Sequence, residues 1–208
     1  MQYYLNTTPK IIRHFAKDFI WSLPQETPSV FLTFDDGPIP FVTPKVLEIL
    51  NSFNAKATFF CVGENVKKHP DIFHELKLNN HELGNHTYNH LNGWKTLRQA
   101  YLSNVELAKN YIPSKLFRPP YGKITPLQSK SLKNDYKIIM WDILSGDFDP
   151  NVDPEKCANN VIDNAVNGSI IVFHDNIKHA DTMLAALPII LDKLSRKGYQ
   201  FKTISEGL

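Results

Sequence analysis

Short apolar runs alternate along the chain with longer stretches in which apolar residues recur every three or four positions. Runs rich in β-branched and aromatic residues indicate buried strands, and the longer stretches indicate amphipathic helices. The predicted strands are 30–34, 58–62, 82–85, 116–118, 137–141, 169–173 and 201–204. The predicted helices are 43–53, 65–78, 97–111, a segment that begins at 125, 153–167 and 181–196. The alternation predicts an α/β fold.

Three of these helices are predicted to begin at a capping residue followed by proline. A hydroxyl or carboxylate can accept the first free N–H groups, and proline is tolerated at the first helical position. The pairs are Thr43-Pro44, Thr125-Pro126 and Asp153-Pro154. Pro70 is expected to break the helix predicted at 65–78, and Gly168 is expected to end the helix that begins after Asp153.

The first 24 residues are expected to form a helical arm ahead of one domain at 25–208. Apolar residues at roughly helical spacing predict a short amphipathic helix that packs on the domain and ends before Pro24. They are Ile11, Ile12, Phe15, Phe19 and Ile20. Because basic residues interrupt this stretch, it is not a typical secretory signal. We expect a secreted or envelope-associated protein if a signal was removed, and a cytoplasmic one otherwise.

Composition excludes some classes of partner. Lys and Arg number 23 against 21 Asp and Glu, so the net charge of +2 predicts no nucleic-acid binding. No apolar run approaches the roughly 18 residues of a membrane-spanning helix. A monomer is expected. Cys61 ends an apolar run and is expected to be a buried thiol, and a disulfide with Cys157 is the alternative.

Two adjacent carboxylates follow the first predicted strand. Asp35 and Asp36 end the apolar run 30–34, and Gly37-Pro38 then turns the chain. Neighbouring anions at the end of a buried strand repel each other unless a cation lies beside them. Taken alone, the pair is better explained as a solvated turn. A second cluster changes that interpretation.

The second cluster is a histidine pair, His86 and His90, which follows the strand predicted at 82–85. Residues four apart lie on one face of a helical turn, so both imidazoles can reach one point. Two neutral imidazoles and one carboxylate form a ligand set for a divalent cation and leave positions open for water and substrate. Such a cation would also relieve the repulsion between Asp35 and Asp36. A polar hydrogen-bonded cluster is the alternative.

Every charged or histidine-containing motif directly follows a predicted strand. In parallel α/β barrels the catalytic groups come from the loops at the carboxyl ends of the strands. A doubly wound open sheet is the competing architecture. Candidate residues come from six strand ends, and a closed ring can bring six strand ends to one point. We therefore expect a barrel.

Five motifs, in order, resemble those of the polysaccharide deacetylase (NodB homology) family of carbohydrate esterases. These enzymes remove N-acetyl or O-acetyl groups from polysaccharides. The motifs are Thr33-Phe34-Asp35-Asp36-Gly37-Pro38, His86-Thr87-Tyr88-Asn89-His90, Arg118-Pro119-Pro120-Tyr121-Gly122, a partial fourth motif at 141–148, and Val172-Phe173-His174-Asp175. The resemblance implies an irregular (β/α)7 barrel and makes 25–208 the catalytic domain.

The resemblance and the donor chemistry agree on Asp36, His86 and His90 as metal ligands. Zinc is the expected ion for such a set, with cobalt and nickel as alternatives. The ion would lower the pKa of a bound water and polarise the acetyl carbonyl. Asp35 would then take a proton from that water as the general base.

The resemblance also implies the remaining catalytic residues. His174 resembles the general acid that protonates the leaving amine. Arg118 is expected to pair with Asp35 and orient it. Asp147 resembles the acidic residue of the fourth motif, and it is expected to support either His174 or Arg118.

Substrate contacts are expected from residues close to these motifs, namely Tyr121, Pro119, Trp141, Phe148, Val172 and Tyr88. The N–H of Tyr121 is the first after two prolines that can donate to an oxyanion. The three other aromatic residues could stack on sugars or pack in the core. Family members commonly carry Trp at Phe148, Asp at Leu144 and Leu at Val172, so the substrate preference is open.

The resemblance implies a metal-dependent hydrolase that removes N-acetyl groups from N-acetylglucosamine residues and releases acetate. The substrate would be chitin, chitooligosaccharides or peptidoglycan, and the sequence does not choose among them. An O-acetyl esterase acting on acetylated xylan would use the same residues. A carbohydrate-binding pseudoenzyme is the third alternative, and the presence of every expected catalytic residue and metal ligand argues against it.

Overall fold

Parallel strands surrounded by helices make up the fold. The computed structural model describes residues 5–208 apart from the side chain of Phe15, so the predictions for residues 1–4 and for packing by Phe15 lie outside the described residues. The strands are β1 (Ser29–Asp35), β2 (Ala57–Cys61), β3 (Glu82–Asn85), β4 (Leu116–Phe117), β5 (Lys137–Ile138), β6 (Ile143–Leu144), β7 (Ile170–His174) and β8 (Gln200–Phe201). The helices are α1 (Lys10–Phe15), α2 (Thr43–Ser52), α3 (Gly63–Lys68), α4 (Pro70–Leu78), α5 (Arg98–Lys109), α6 (Pro126–Leu132), α7 (Pro154–Ile162), α8 (Ala180–Arg196) and α9 (Ile204–Gly207).

The strands form one curled parallel sheet with β1 near its middle. Their order is β5-β4-β3-β2-β1-β7-β6, and β8 pairs with the start of β1. Phe34 of β1 lies between Phe59 of β2 and Phe173 of β7, with ring centroids 5.0 and 5.4 Å apart. These rings are buried in the core beneath the surrounding helices. The predicted α/β fold with parallel strands is confirmed.

The amino-terminal arm joins the two ends of the strand order, β5 and β6. Ile20 donates a backbone hydrogen bond to Ile138 (2.9 Å) and accepts one from Met140 (2.7 Å). Further back, the backbone of 6–8 bonds to that of 142–144 at 2.8 and 2.9 Å. The arm thus satisfies backbone groups that the ends of the sheet would otherwise leave unpaired.

The helix predicted in the arm is shorter and less buried than expected. α1 covers Lys10–Phe15, and the side chains of Ile11 and Ile12 are 66% and 47% exposed. Phe19 and Ile20 do pack against the core. The reason is that extended segments on either side of α1 bond to the sheet, and α1 only connects them.

Two strands predicted in the second half of the chain are shorter in the structure than expected. The strand expected at 137–141 ends at Ile138, and β6 was not predicted. The buried Asp142 separates the two, because its carboxylate accepts hydrogen bonds from the N–H of Ile170 (2.7 Å) and the hydroxyl of Ser169 (2.8 Å). The strand expected at 201–204 is also shorter, because Thr203 caps α9.

The helix starts follow the predictions in two of three cases. Thr125 and Asp153 accept hydrogen bonds from the first turns of α6 and α7. Thr43 is not a cap, because its hydroxyl donates to Asp175 Oδ2 (2.5 Å) and accepts from the N–H of Ile39 (2.8 Å).

The predicted breaks and ends of the helices also differ in outcome. Pro70 separates α3 from α4 as expected. α7 ends at Ile162, well ahead of Gly168. Gly168 instead has φ +89° and lies against the backbone of Leu23, where a Cβ would come within 2.5 Å.

Cys61 and Cys157 are both buried free thiols, so the alternative of a disulfide was wrong. Burial raises the pKa of Cys157 to about 12. None of the helices in the described part of the chain combines the length and apolarity needed to cross a membrane.

Candidate active site

Three side chains from two strand ends converge on one point. Asp36 follows β1, and His86 and His90 lie in the loop after β3. Their ligand atoms all lie within 4.8 Å of one another. Asp36 Oδ1 is 3.1 Å from Nε2 of His90 and 3.8 Å from Nε2 of His86. We call these three residues the metal cluster.

The histidine pair is carried by a loop and not by the helical turn that its spacing predicted. Thr87 and His90 have φ values of +64° and +57°, in the left-handed region that most residues avoid. The hydroxyl of Thr87 accepts a hydrogen bond from the N–H of Leu91 at 3.1 Å and holds the loop closed. Left-handed residues, and not one face of a helix, bring the two imidazoles together.

His86 and Asp36 both present lone pairs to the centre of the metal cluster. His86 Nδ1 lies 2.8 Å from the carbonyl of Arg118, so Nδ1 carries the hydrogen and Nε2 offers a lone pair. Burial lowers the pKa of His86 to about 4, which keeps the ring neutral. Asp36 Oδ1 is buried and finds no hydrogen-bond partner among the described residues. A divalent cation between these atoms fits the donor set.

Two asparagines that the sequence analysis did not single out hold Asp36 in place. Asn176 donates from Nδ2 to Asp36 Oδ2 at 2.5 Å, which leaves Oδ1 facing the histidines. Asn65 donates to the backbone carbonyl of Asp36 at 2.8 Å and supports its left-handed conformation, with φ +87°. The only sequence signal for Asn176 was its position two residues after His174.

Beside the metal cluster, Asp35 and Arg118 form a buried ion pair. Asp35 Oδ1 lies 2.8 Å from Arg118 Nη1, as expected. Arg118 is fully buried and packs over the ring of Phe60, 4.1 Å from its centroid. It donates to the hydroxyl of Thr33 (2.6 Å) and to the carbonyls of Ile139 (3.2 Å) and Met140 (3.0 Å). Four hydrogen bonds therefore hold the guanidinium in place, and with it the carboxylate that it contacts.

A second charged pair, His174 and Asp147, lies at the end of β7. Asp147 accepts from His174 twice, at Nδ1 (2.8 Å) and at the backbone N–H (2.6 Å). Burial alone would lower the pKa of His174, but the charge and hydrogen bond of Asp147 outweigh it and raise the pKa to about 10. Of the two supporting roles left open for Asp147, the structure shows the contact with His174.

Asp175 is a buried carboxyl group that the sequence analysis gave no role of its own. It accepts hydrogen bonds from the N–H of Gly37 (3.0 Å) and from Thr43. Burial raises its pKa to about 8. Asp175 therefore ties the loop that carries Asp36 to the start of α2. This role becomes visible only in the structure, which brings together the end of β7, the loop after β1 and the start of α2.

The expected substrate-binding residues divide into two groups. Tyr121 is 60% exposed, and its ring centroid lies 4.6 Å from that of His90. Phe148 presents its ring to His174 at 5.4 Å. These two aromatic residues border the metal cluster and the acid pair.

The other expected contacts lie deeper. Pro119 and Val172 are buried. Trp141 is half-buried and lies against Gly122. Tyr88 packs on Tyr111, with centroids 5.7 Å apart, next to α5.

The sequence analysis did not single out three exposed apolar side chains in loops that follow strands. Phe41, Trp94 and Ile177 follow β1, β3 and β7, and all three are mostly exposed. These loops follow strands that also contribute site residues. Only the structure distinguishes such side chains from ordinary core residues.

Comparisons with known proteins agree with this geometry. The sequence profile of the polysaccharide deacetylase family matches residues 22–137. A peptidoglycan-N-acetylglucosamine deacetylase of Bacillus cereus is 35% identical over 198 residues, which are 90% of this chain and 92% of that protein. A chitooligosaccharide deacetylase of Azorhizobium caulinodans is 30% identical, with 86% and 94% covered.

A similar structure is the crystal structure of a peptidoglycan N-acetylglucosamine deacetylase in complex with 4-naphthalen-1-yl-N-oxidanyl-benzamide. It superimposes with a TM-score of 0.86 and 33% identity, and 97% of each chain is covered. This agreement confirms the fold that the resemblance implied. With the profile match over more than half of its length, the chain belongs to the polysaccharide deacetylase family.

Proposed function

We propose that this protein is a metal-dependent hydrolase that removes N-acetyl groups from N-acetylglucosamine units of a polysaccharide and releases acetate. The observation that carries the proposal is the metal cluster with two charged pairs beside it. Asp35 with Arg118 forms one pair and His174 with Asp147 the other. Amide hydrolysis needs a base to activate water and an acid to protonate the leaving nitrogen. The similarity to two named N-deacetylases supports this choice.

Asp36, His86 and His90 would hold the ion, which we propose to be Zn²⁺ because two imidazoles and a carboxylate suit it. When bound, such an ion acts as a Lewis acid and makes water easier to deprotonate. Asn176 keeps Asp36 turned with Oδ1 toward both histidines. The hydrogen bond between His86 Nδ1 and the Arg118 carbonyl keeps Nε2 free to bind.

Asp35 is the base in this proposal. Arg118 fixes the position of Oδ1 and balances the negative charge of the carboxylate. Asp35 takes a proton from the attacking water at its carboxylate as the water adds to the acetyl carbon. Because four hydrogen bonds hold the Arg118 guanidinium, the carboxylate is already oriented before the substrate arrives.

His174 is the acid. Asp147 holds Nδ1, so Nε2 carries the proton that passes to the leaving amine nitrogen. The raised pKa of His174 keeps that proton in place at neutral pH. The products are acetate and a free amine on the sugar.

Acetate release tests this function. Purified protein should release acetate from chitooligosaccharide or peptidoglycan, lose that activity with a chelator and regain it with added Zn²⁺. Asp35→Asn is the matched control, because it removes the base and leaves all three metal-cluster residues. The proposal fails if neither substrate yields acetate, or if exhaustive chelation leaves the rate unchanged.

We further propose that the protein acts as a monomer, because all the catalytic groups named above come from one chain. Light scattering at the concentration of the assay should give a mass near 23.8 kDa. A dimer with full activity would refute this. Elemental analysis of protein purified without added metal tests the choice of zinc.

A further inference from the structure

Trp94 is exposed and yet held in place. It lies in a short turn, Gly93–Lys95, after β3, and its side chain is 65% exposed. The indole Nε1 donates to the carbonyl of Ile124 at 3.2 Å, and Asn92 accepts from the Trp94 N–H at 3.0 Å. A large apolar ring fixed at the surface in this way has little rotamer freedom to lose when a ligand covers it.

Lys123 lies beside that ring. Its ammonium is 5.4 Å from the Trp94 ring centroid, and the backbone N–H of Gly93 donates to the Lys123 carbonyl at 3.1 Å. The side chain is half-buried. Among the described residues, no carboxylate lies within 4 Å of its ammonium. Lys123 is thus a half-buried cation without a counter-ion in the described part of the chain.

These two residues are close in the chain to the site, because Trp94 comes four residues after His90 and Lys123 comes two residues after Tyr121. The Tyr121 ring lies 4.6 Å from His90, and the turn Pro120–Gly122 leads directly from Tyr121 to Lys123. Tyr121, Lys123 and Trp94 therefore lie on two loops that contact each other, and together they provide two aromatic rings and one cation. We call these three residues the platform.

We propose that the platform binds a sugar next to the reacting N-acetylglucosamine unit, and that this sugar carries a carboxylate. Trp94 stacks on the apolar face of the sugar, and Lys123 pairs with the carboxylate. This inference rests on the proposed function and narrows its substrate class to an acidic glycan. In peptidoglycan, N-acetylglucosamine alternates with a sugar bearing a lactyl ether, whose carboxylate is free wherever no peptide is attached, whereas chitin is neutral and would leave Lys123 unpaired.

Two substrates separate the roles of charge and stacking. One is peptidoglycan glycan strand with its peptides removed and its lactyl carboxylates free, and the other is a chitooligosaccharide of equal length. We expect Lys123→Gln to raise KM on the glycan strand by about 3- to 10-fold and to leave KM on the chitooligosaccharide and both kcat values unchanged. Lys130→Gln is the matched control, because it removes an exposed lysine of α6 that is not part of the platform.

Trp94 should affect both substrates, because stacking does not require charge. Trp94→Ala is expected to raise KM on each, and Trp94→Phe should retain most of the affinity because a flat ring remains. Added salt should raise KM of the unmutated protein on the glycan strand and should have little effect on Lys123→Gln. Melting temperatures of all variants show whether the turn has kept its structure.

Binding by calorimetry in the Asp35→Asn background separates failure of the platform from failure of the proposed function. If no acetate is released but Lys123→Gln selectively weakens binding of the glycan strand, the platform stands and the proposed function fails. The inference is overturned if Lys123→Gln weakens the binding of both substrates equally. It is also overturned if this variant leaves both KM values and both binding affinities unchanged.

Discussion

His86 and His174 belong to the same site, but the site keeps His86 neutral and His174 positively charged. The Nδ1 atom of each has one hydrogen-bond partner at 2.8 Å. For His86 the partner is a neutral backbone carbonyl, that of Arg118. For His174 the partner is the carboxylate of Asp147. The pKa of His86 is lowered to about 4, and that of His174 is raised to about 10.

The comparison shows that the second contact of each imidazole decides its chemical role. A carbonyl orients the ring but favours its charged form only weakly, so burial prevails and keeps His86 neutral and able to bind a metal. A carboxylate both orients the ring and stabilises its charge, so His174 retains a proton to donate. Two titratable groups with divergent pKa values in one site are typical of a division between ligand and acid.

Removing the neutral histidine should have the largest effect. His86→Ala leaves Asp36 and His90 as an incomplete ligand set, so metal affinity should fall by more than about 10²-fold and activity should disappear with it. Elemental analysis after dialysis measures the loss. Full metal content in this variant would place the ion elsewhere.

Removing the charged histidine should separate activity from metal binding. His174→Ala should keep normal metal content and lose about 10²- to 10⁴-fold in kcat, the range for one acid–base group. Metal content and steady-state rates are measured on the same sample. A metal-free His174→Ala protein would show that the two histidines share one role.

Asn176 tests how strongly the metal cluster depends on its surroundings. Asn176→Ala frees Asp36 Oδ2, and we expect metal affinity to fall by about 10- to 100-fold while the rate at saturating metal stays close to normal. Competition with a chelating dye measures the affinity. Lys178→Ala, on the same loop, is the control, and an equal loss there would point to loop structure in general.

Asp147→Asn replaces the charged partner of His174 with a neutral one. His86 already has a neutral partner, the carbonyl of Arg118. Because the amide no longer stabilises the imidazolium, the pKa of His174 should fall. The acid must be protonated to act, so the alkaline limb of kcat/KM should move to lower pH. Rates measured across the pH range show the shift. An unmoved limb would mean that another group sets it.

A third buried histidine, His81, lies outside the active site and can be compared with the first two. Its Nδ1 accepts from the N–H of Ala57 (3.2 Å), its Nε2 is buried without a partner among the described residues, and burial lowers its pKa from 6.5 to about 4. The unfolded chain therefore takes up this proton first as the pH falls.

Stability from His81 is full above pH 6.5 and is lost as the pH falls to about 4. The loss amounts to roughly 3 kcal/mol in the free energy of unfolding. His81→Gln should flatten that part of the pH dependence, as denaturant titrations between pH 7.5 and 4.5 would show. Parallel curves for the variant and the unmutated protein would contradict this.

Much of the site was predictable because its residues directly follow strands with clear hydrophobic patterns. Asp36 after β1 and His174 at the end of β7 needed only the positions of the strands. The convergence of Asp36 with two histidines followed from charge, since adjacent carboxylates need a cation.

The remaining features depend on contacts that no local pattern encodes. The left-handed conformations of Thr87 and His90 are rare for such residues, so a helical turn was the natural prediction. β6 is two residues long and exists because it pairs with β7. The partner of Asp147 and the anchoring of Trp94 both join residues far apart in the chain.

The arm that joins β5 to β6 also constrains the order in which the molecule can form. Its hydrogen bonds reach from residues 6–8 and 20 to residues 138–144, so the arm depends on partners that are synthesised more than a hundred residues later. Contacts of such separation form late, after the loop between them has closed. Until then the two outer strands present free backbone groups. A nascent or partly unfolded chain is therefore most exposed to self-association along this line.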